Sequence, residues 1–292
     1  MENTKKHNKL FSAKDARLLP GYIILSLWVL FTFALIFWIF AASFSTTREI
    51  FKGQALEFRS GIHFENYIKA WTSQNVSVFF GNSLIYSLIS SALLVLVCAP
   101  AAYVLSRIKF FGNHFIQNSF VAAMGVPMVM IILPLFGVVT RMQLLTQDIK
   151  VRLLMIVLYV GINVPYTTIF LLSFFANLSS YYEEAAAIDG YPPTKIFWKI
   201  MFPLAQPGIV TVSIFNFINI WNEYFMSLIF ANNDRVKPVA VGLYGMIDSM
   251  KYTGDWAGMF AAVIIVFLPT FILYLFLSDK IIAGITAGGV KG

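Results

Sequence analysis

An ionisable side chain inside a long apolar run is where chemistry is most sharply signalled, and this sequence holds one. Glu223 is the only Asp, Glu, Lys or Arg within six apolar runs, residues 21–44, 83–106, 119–140, 153–176, 209–231 and 257–278. A charge placed in hydrocarbon is costly and marks a functional site by default. Asn216, Asn219 and Glu223 stand at i, i+3 and i+7, so a helical period gathers them on one face, with Asn222 beside them. Two chemistries fit this polar stripe. Its amides and carboxylate could exchange hydrogen bonds with solute hydroxyls along a translocation path, or they could join neighbouring helices at about 0.6–2 kcal/mol per bond.

Other catalytic sets are missing. His7, His63 and His114 all lie outside the apolar runs, and there is a single cysteine, Cys98, so neither a thiolate metal cluster nor an intrachain disulfide can be assembled. No pair of Asp residues stands inside the runs. A P-loop is absent, down to the Gly-Lys dipeptide it requires. The chain is expected to be no enzyme by itself, to hold no metal and no cofactor, and to leave any ATP to another subunit.

The elements that position the stripe follow from composition. Of 292 residues, 59% are hydrophobic and 12% charged, against roughly 25% charged in a soluble domain, and the mean hydropathy is +0.75. Too little polar surface remains to coat a water-soluble fold, so the lipid bilayer is the expected solvent. Each run reaches the length of about 20 residues that a spanning helix needs, and none alternates as a barrel strand would. The expected fold is an all-α membrane protein with six transmembrane helices. The formal charge of +7 is dispersed through loops and tails rather than clustered, which suits the flanks of membrane spans better than nucleic acid.

Lys5, Lys6, Lys9, Lys14 and Arg17 precede the first run. That run is too long for a signal peptide's apolar core of about 7–15 residues, so it reads as an uncleaved helix whose amino terminus is cytoplasmic. An even number of spans returns the carboxyl terminus to the same side. Lys and Arg are nearly even between the two sides, so the orientation rests on the five basic residues ahead of the first run. The outside then holds residues 45–82, an extended loop with short helical stretches such as 64–71, and residues 232–256, which open on the turn signal Asn232-Asn233-Asp234.

Residues 177–208 form the most informative connection. Ser180-Tyr181-Tyr182-Glu183 has the spacing of a capping box, which predicts a helix running through Glu184, Ala185, Ala186, Ala187 and Ile188 to a glycine stop at Gly190. Pro192 and Pro193 suit the first turn of a second helix, in which Ile196, Phe197 and Ile200 make an apolar stripe ahead of Pro203. Small alanines let another protein's surface approach, and Glu184 offers a charge to a basic partner. The same pattern also fits an amphipathic helix resting on lipid headgroups.

The segment Glu184-Ala185-Ala186, three residues, Gly190, nine residues, Ile200, one residue, Phe202-Pro203 resembles the EAA loop of ATP-binding-cassette (ABC) importer permeases, departing from it only in Phe202 for Leu. Trp221-Asn222-Glu223-Tyr224, the segment 64–71 and the closing residues Gly284 to Gly292 are similar to the second, MalG-like membrane subunit of maltose-type carbohydrate importers. The resemblance covers most of residues 20–292. It implies a type I importer (MetI-like) bundle, with a cytoplasmic tail at 1–20, a permease domain at 21–279 carrying the coupling loop 177–208, and a cytoplasmic tail at 280–292.

In function it implies ATP-driven, binding-protein-dependent import of a sugar or oligosaccharide across a bacterial or archaeal cytoplasmic membrane. The implied partners are a sister permease, two ABC ATPase subunits holding ATP and Mg, and an extracytoplasmic solute-binding protein. ATPase coupling would fall to Glu183, Glu184, Ala185, Ala186, Ala187, Asp189, Gly190, Ile200 and Pro203. The small residues Thr286, Ala287, Gly288 and Gly289 would reach the ATPase as a thin, flexible strand. A permease for a non-sugar solute, a non-transporting membrane scaffold and a secondary transporter remain open on the residues alone.

Overall fold

The computed structural model describes residues 13–289, which fold into helices joined by turns and loops. Residues 1–12, most of the basic tail, and residues 290–292 lie outside the described residues. Four helices are long and apolar enough to cross a membrane unaided: α1 (Ala13–Ser43), α4 (Val76–Arg107), α7 (Asp148–Asn177) and α14 (Trp256–Gly289). With about 1.5 Å of rise per residue each exceeds the roughly 30 Å of hydrocarbon.

The third and fifth apolar runs are not the single helices expected at 119–140 and 209–231. The third is α5 (Asn113–Met124) followed by α6 (Met128–Arg141), bent 93° apart. Gly125, Val126 and Pro127 make the elbow, where proline forces its neighbour out of helical geometry. The fifth is α11 (Gln206–Trp221), an interruption at residues 222–224, then the short α12 (Phe225–Phe230). Apolar composition continues through both breaks, so composition alone cannot register them.

The core is built where α4, α7 and α11 pack together. Tyr86, Leu94 and Cys98 of α4 are fully buried against Tyr159, Leu171 and Phe175 of α7 and Val212 of α11. Gly208 lets α11 pass close to α7, since a Cβ there would stand 2.5 Å from the Phe174 ring. Helix α1 runs along α14 and presents its apolar side chains outward.

Loops gather at the two ends of this bundle. One end holds the α4–α5 connection and residues 178–205. The other holds α2 (Thr47–Phe51), α3 (Glu65–Thr72) and α13 (Val239–Thr253). Helix α3 falls where a short helix was expected. Helix α13 was not foreseen, because the turn signal at 232–234 obscured the apolar stretch after it. Asn82 of α4 donates to the carbonyls of Arg235 (2.9 Å) and Lys237 (3.0 Å), and Gln74 donates to Asp255 (3.0 Å), closing this end around a cleft of about 510 Å³.

The α2 loop is fixed by one buried carboxylate. Glu49 accepts the Thr46 and Ser60 N–H groups, both at 2.9 Å, and both hydroxyls, at 2.9 and 2.8 Å. The Thr46 Oγ1 in turn accepts the Glu49 N–H and completes a capping box. These backbone donors hold the Glu49 pKa down at about 2, against 4.5 for a free side chain. A lowered pKa stabilises the fold fully above the unfolded value, and the contribution is lost as pH falls through the folded one. Amide protection of residues 46–60, corrected for intrinsic exchange, should therefore hold down to about pH 4.5 and decline between there and about 2. In Glu49→Gln the protection should already be reduced at pH 7. Unchanged exchange in both measurements would refute this anchoring role.

Candidate functional site

The loop between α7 and α11 folds against the end of the bundle as α8 (Tyr181–Ile188), α9 (Pro193–Ile196), a π-helical turn at Phe197–Met201 and α10 (Phe202–Leu204), which meets α11 at a 73° bend. The predicted helix, glycine turn and second helix are all present. Gly190 has φ +78°, a left-handed value, and its N–H donates to the Ala187 carbonyl while Tyr191 N–H donates to that of Ala186. Pro193 begins α9 and Pro203 lies in α10, as their fixed φ favours.

Each face of this unit has a different job. Ala186, Ile196 and Phe197 are buried; Phe197 packs on Tyr103 of α4 and Phe175 of α7 with ring centroids 5.1 and 6.1 Å apart. Ile200 is part-buried against the same core. The apolar stripe thus rests on the bundle and not on lipid headgroups. Outward stand Tyr181, Glu184 and Ile188, at i, i+3 and i+7, with Ala187 and Asp189 also exposed; Ile188 is 86% exposed. A row with a carboxylate between an aromatic and an aliphatic side chain, on a rigidly backed helix, can recognise a pocket with a basic wall.

The two adjacent glutamates are separated by the helical turn. Glu183 points inward, its Oε1 3.6 Å from Nε of Arg107, the last residue of α4, while Glu184 points out. The capping box expected at Ser180 does not form. Ser180 has helical backbone angles and no side-chain cap bond; Ser179 Oγ accepts the Tyr181 N–H at 3.3 Å instead. Glu183, which would have closed the box, is turned to Arg107. Sequence reasoning passed over Arg107, which looked like an ordinary basic flank of a membrane span.

The polar stripe of α11 joins helices. Asn216, 1% exposed, donates to Thr167 Oγ1 of α7 at 3.0 Å, and Asn219 donates to Asn163 Oδ1 at 2.8 Å. Asn222 is exposed and donates to the carbonyl of Ile218 in its own helix. Glu223 lies in the break, where it accepts the Met226 N–H at 2.6 Å, the Ser227 N–H at 3.1 Å and the Ser227 hydroxyl at 2.6 Å. It caps the start of α12, and Ser227 passes the link on to Tyr159 of α7 at 2.6 Å. Thr286, Ala287, Gly288 and Gly289 continue the backbone of α14 as helix rather than as the thin, flexible strand expected.

Residues 96–281 match the family model of binding-protein-dependent transport system inner membrane components. The chain belongs to that family. Among its relatives, the diacetylchitobiose uptake system permease protein NgcG of Streptomyces coelicolor is 32% identical, covering 92% of this chain and 87% of its own. The sulfoquinovosyl glycerol transport system permease protein SmoH of Agrobacterium fabrum is 28% identical over 98% and 96%. The trehalose transport system permease protein SugB of Mycobacterium tuberculosis is 27% identical over 88% and 92%. In fold the chain is similar to a chain of a bacterial ABC transporter that imports the acidic polysaccharide alginate, with TM-score 0.77 over 92% of this chain and 98% of that one, at 21% identity. As a member of the inner membrane component family the protein is a multi-pass permease subunit.

If Glu223 caps α12, Glu223→Ala should lower the stability of the purified protein by about 1–3 kcal/mol, the cost of stranding buried donors. Glu223→Gln, which keeps one acceptor, should lose less. Thermal unfolding in detergent reads both, and equal stability of all three forms would exclude the cap.

Proposed function

We propose that this permease forms half of a translocation path with a sister permease, and that the complex imports a sugar or oligosaccharide delivered by an extracytoplasmic solute-binding protein. Two ABC ATPase subunits, which bind ATP and Mg, dock on the face made by residues 177–208. That face is cytoplasmic, as are both termini, and the α3–α13 end meets the binding protein, in a bacterial or archaeal cytoplasmic membrane. The protein then divides into the tail 1–20, the permease domain 21–279 and the tail 280–292.

The observation that carries this reading is the outward row of α8. A helix whose buried face is committed to the bundle leaves Tyr181, Glu184 and Ile188 free for another protein, and Glu184 opens the segment that resembles the EAA loop. Glu184, Ala187 and Asp189 contact the ATPase directly, while Ala185, Ala186, Gly190, Ile200 and Pro203 shape the seat. The backbone of residues 286–289 supplies a second contact. A sugar cargo is supported by the relatives, whose names include diacetylchitobiose and trehalose. Asn216, Asn219, Asn222 and Glu223 act here as contacts between and within helices, with no direct role in selecting the solute.

Mechanistically, ATP draws the ATPase subunits together and carries α8 with them, and because the π-helical turn behind α8 packs through Phe197 on Tyr103 of α4 and Phe175 of α7 the bundle rotates as a body. ATP and the loaded binding protein must both favour the outward-open state, since a ligand shifts an equilibrium only by its differential affinity.

The decisive experiment is co-purification of the tagged chain with its genomic neighbours. The wild-type chain should retain a second permease and an ATPase. Glu184→Lys, which puts the wrong charge in the docking cleft, should weaken ATPase retention by about 2 kcal/mol or more, some thirtyfold in dissociation constant. Recovery without ATPase, where a control importer stays intact, would overturn the assignment.

A further inference from the structure

Arg107 ends α4 and reaches two separate pieces of chain. Its Nη2 donates to the carbonyl of Leu178, the C-cap residue of α7, and its Nε faces Glu183 of α8 at 3.6 Å. Both side chains are largely enclosed, 16% and 19% exposed, and neither Arg107 Nε nor Glu183 Oε1 has a hydrogen-bond partner. The two atoms face each other's charge, with the Tyr103 hydroxyl of α4 also beside Glu183, in surroundings where Coulomb attraction is screened less than at an open surface.

We propose that Arg107 is a positioning residue for coupling: it locks α8 to the ends of both α4 and α7, so that a pull on α8 moves the bundle rather than bending the loop. This rests on the reading of α8 as the ATPase dock.

The rest of the seat explains why a charge is needed. Packing through Ala186, Ile196 and Phe197 sets the distance of the loop from the bundle, but apolar contact is non-directional and permits sliding. A guanidinium that donates to a fixed carbonyl and faces a carboxylate defines an orientation. The pair also selects which glutamate turns inward. With Glu183 held by Arg107, the helical turn of about 100° per residue sends Glu184 outward, on the same side as Tyr181 and Ile188. Helix α4 carries the fixed point to the opposite face. About 37 Å away along its axis, Asn82 holds the carbonyls of Arg235 and Lys237, Ser83 Oγ accepts the Val239 N–H at 2.9 Å, and Tyr86 donates to Val236 at 2.9 Å. A single helix thus grips the proposed motor-side loop at one end and the segment leading into α13 at the other.

The test uses the whole importer, reconstituted in proteoliposomes with its sister permease, ATPase and binding protein. In Arg107→Gln and in Glu183→Gln the ratio of hydrolysis with loaded binding protein to hydrolysis without it should fall about five- to tenfold, in the range of ordinary coupling energies. Because Glu183 acts through Arg107, and Arg107 also holds Leu178, the double variant should be no worse than Arg107→Gln alone. The swapped pair, Arg107→Glu with Glu183→Arg, should recover part of the stimulation.

Unchanged stimulation in both single variants, or losses that multiply in the double variant, would overturn the proposal. If Arg107→Gln fails to fold, Glu183→Gln, which leaves the Leu178 bond in place, decides the matter alone. Failure of the wild-type chain to retain any ATPase would instead refute the docking assignment, so the two failures are distinguishable.

Discussion

Everything in this molecule follows from a solvent that offers the backbone no hydrogen bonds. In hydrocarbon each amide and carbonyl must be satisfied within the chain, so an interrupted helix needs a local repair at every break. At residues 125–127 the Gly125 and Val126 N–H groups turn back to the carbonyls of Ala122 and Ala123, and Pro127 has no N–H to strand. At residues 222–224 the repair is a carboxylate, for Glu223 takes the amides that open α12. The single charge within the apolar runs is explained by the break beside it, and the same need accounts for its link through Ser227 to Tyr159.

Because lipid tails are as apolar as leucine, burial alone does little to hold spanning helices together, and close packing and interhelical bonds take over. The interface of α4 with α7 and α11 shows both. Buried Ser87, Ser90 and Ser91 keep α4 narrow, and Gly208 does the same for α11 where it passes Phe174. Asn216 with Thr167 and Asn219 with Asn163 then fix the rotation of α11 against α7. A bundle joined by short side chains and directed bonds resists internal shear, and that is the property a rigid-body transporter needs.

Long-range architecture was legible in the sequence wherever it depends on composition. The four unbroken spans, the helix, glycine turn and helix of residues 181–204, and the polar face of α11 all come from run length, glycine placement and period. Features set by tertiary partners were not legible. The elbow at 125–127 lies in an unbroken apolar run, where a proline can mark a kink but does not give its 93° angle. The capping box at Ser180 had the right spacing, yet Arg107, more than 70 residues earlier in the chain, competes for Glu183. The Glu49 cap needs Ser60, which local pattern does not connect to it. Helix α13 is hidden for a different reason, since its apolar stretch is shorter than a span and follows the strong turn signal at 232–234.

On the proposed docking role of α8, the pairing of Glu183 with Glu184 lets one helix carry two incompatible requirements. A docking surface must present charge to another protein, whereas a joint that transmits force must keep charge sheltered so that its attraction is screened less. Adjacent helical positions point about 100° apart, so two neighbouring acids can serve both needs without lengthening the loop. The arrangement works only if something decides which acid faces inward, because the dipeptide itself is symmetric. Ala186 contributes by burying its small side chain against the bundle, and Arg107 completes the choice by offering the only basic group that Glu183 meets as an ion pair among the described residues. The orientation of the outer acid is therefore set from the membrane side, by a residue that the proposed docking partner need never touch.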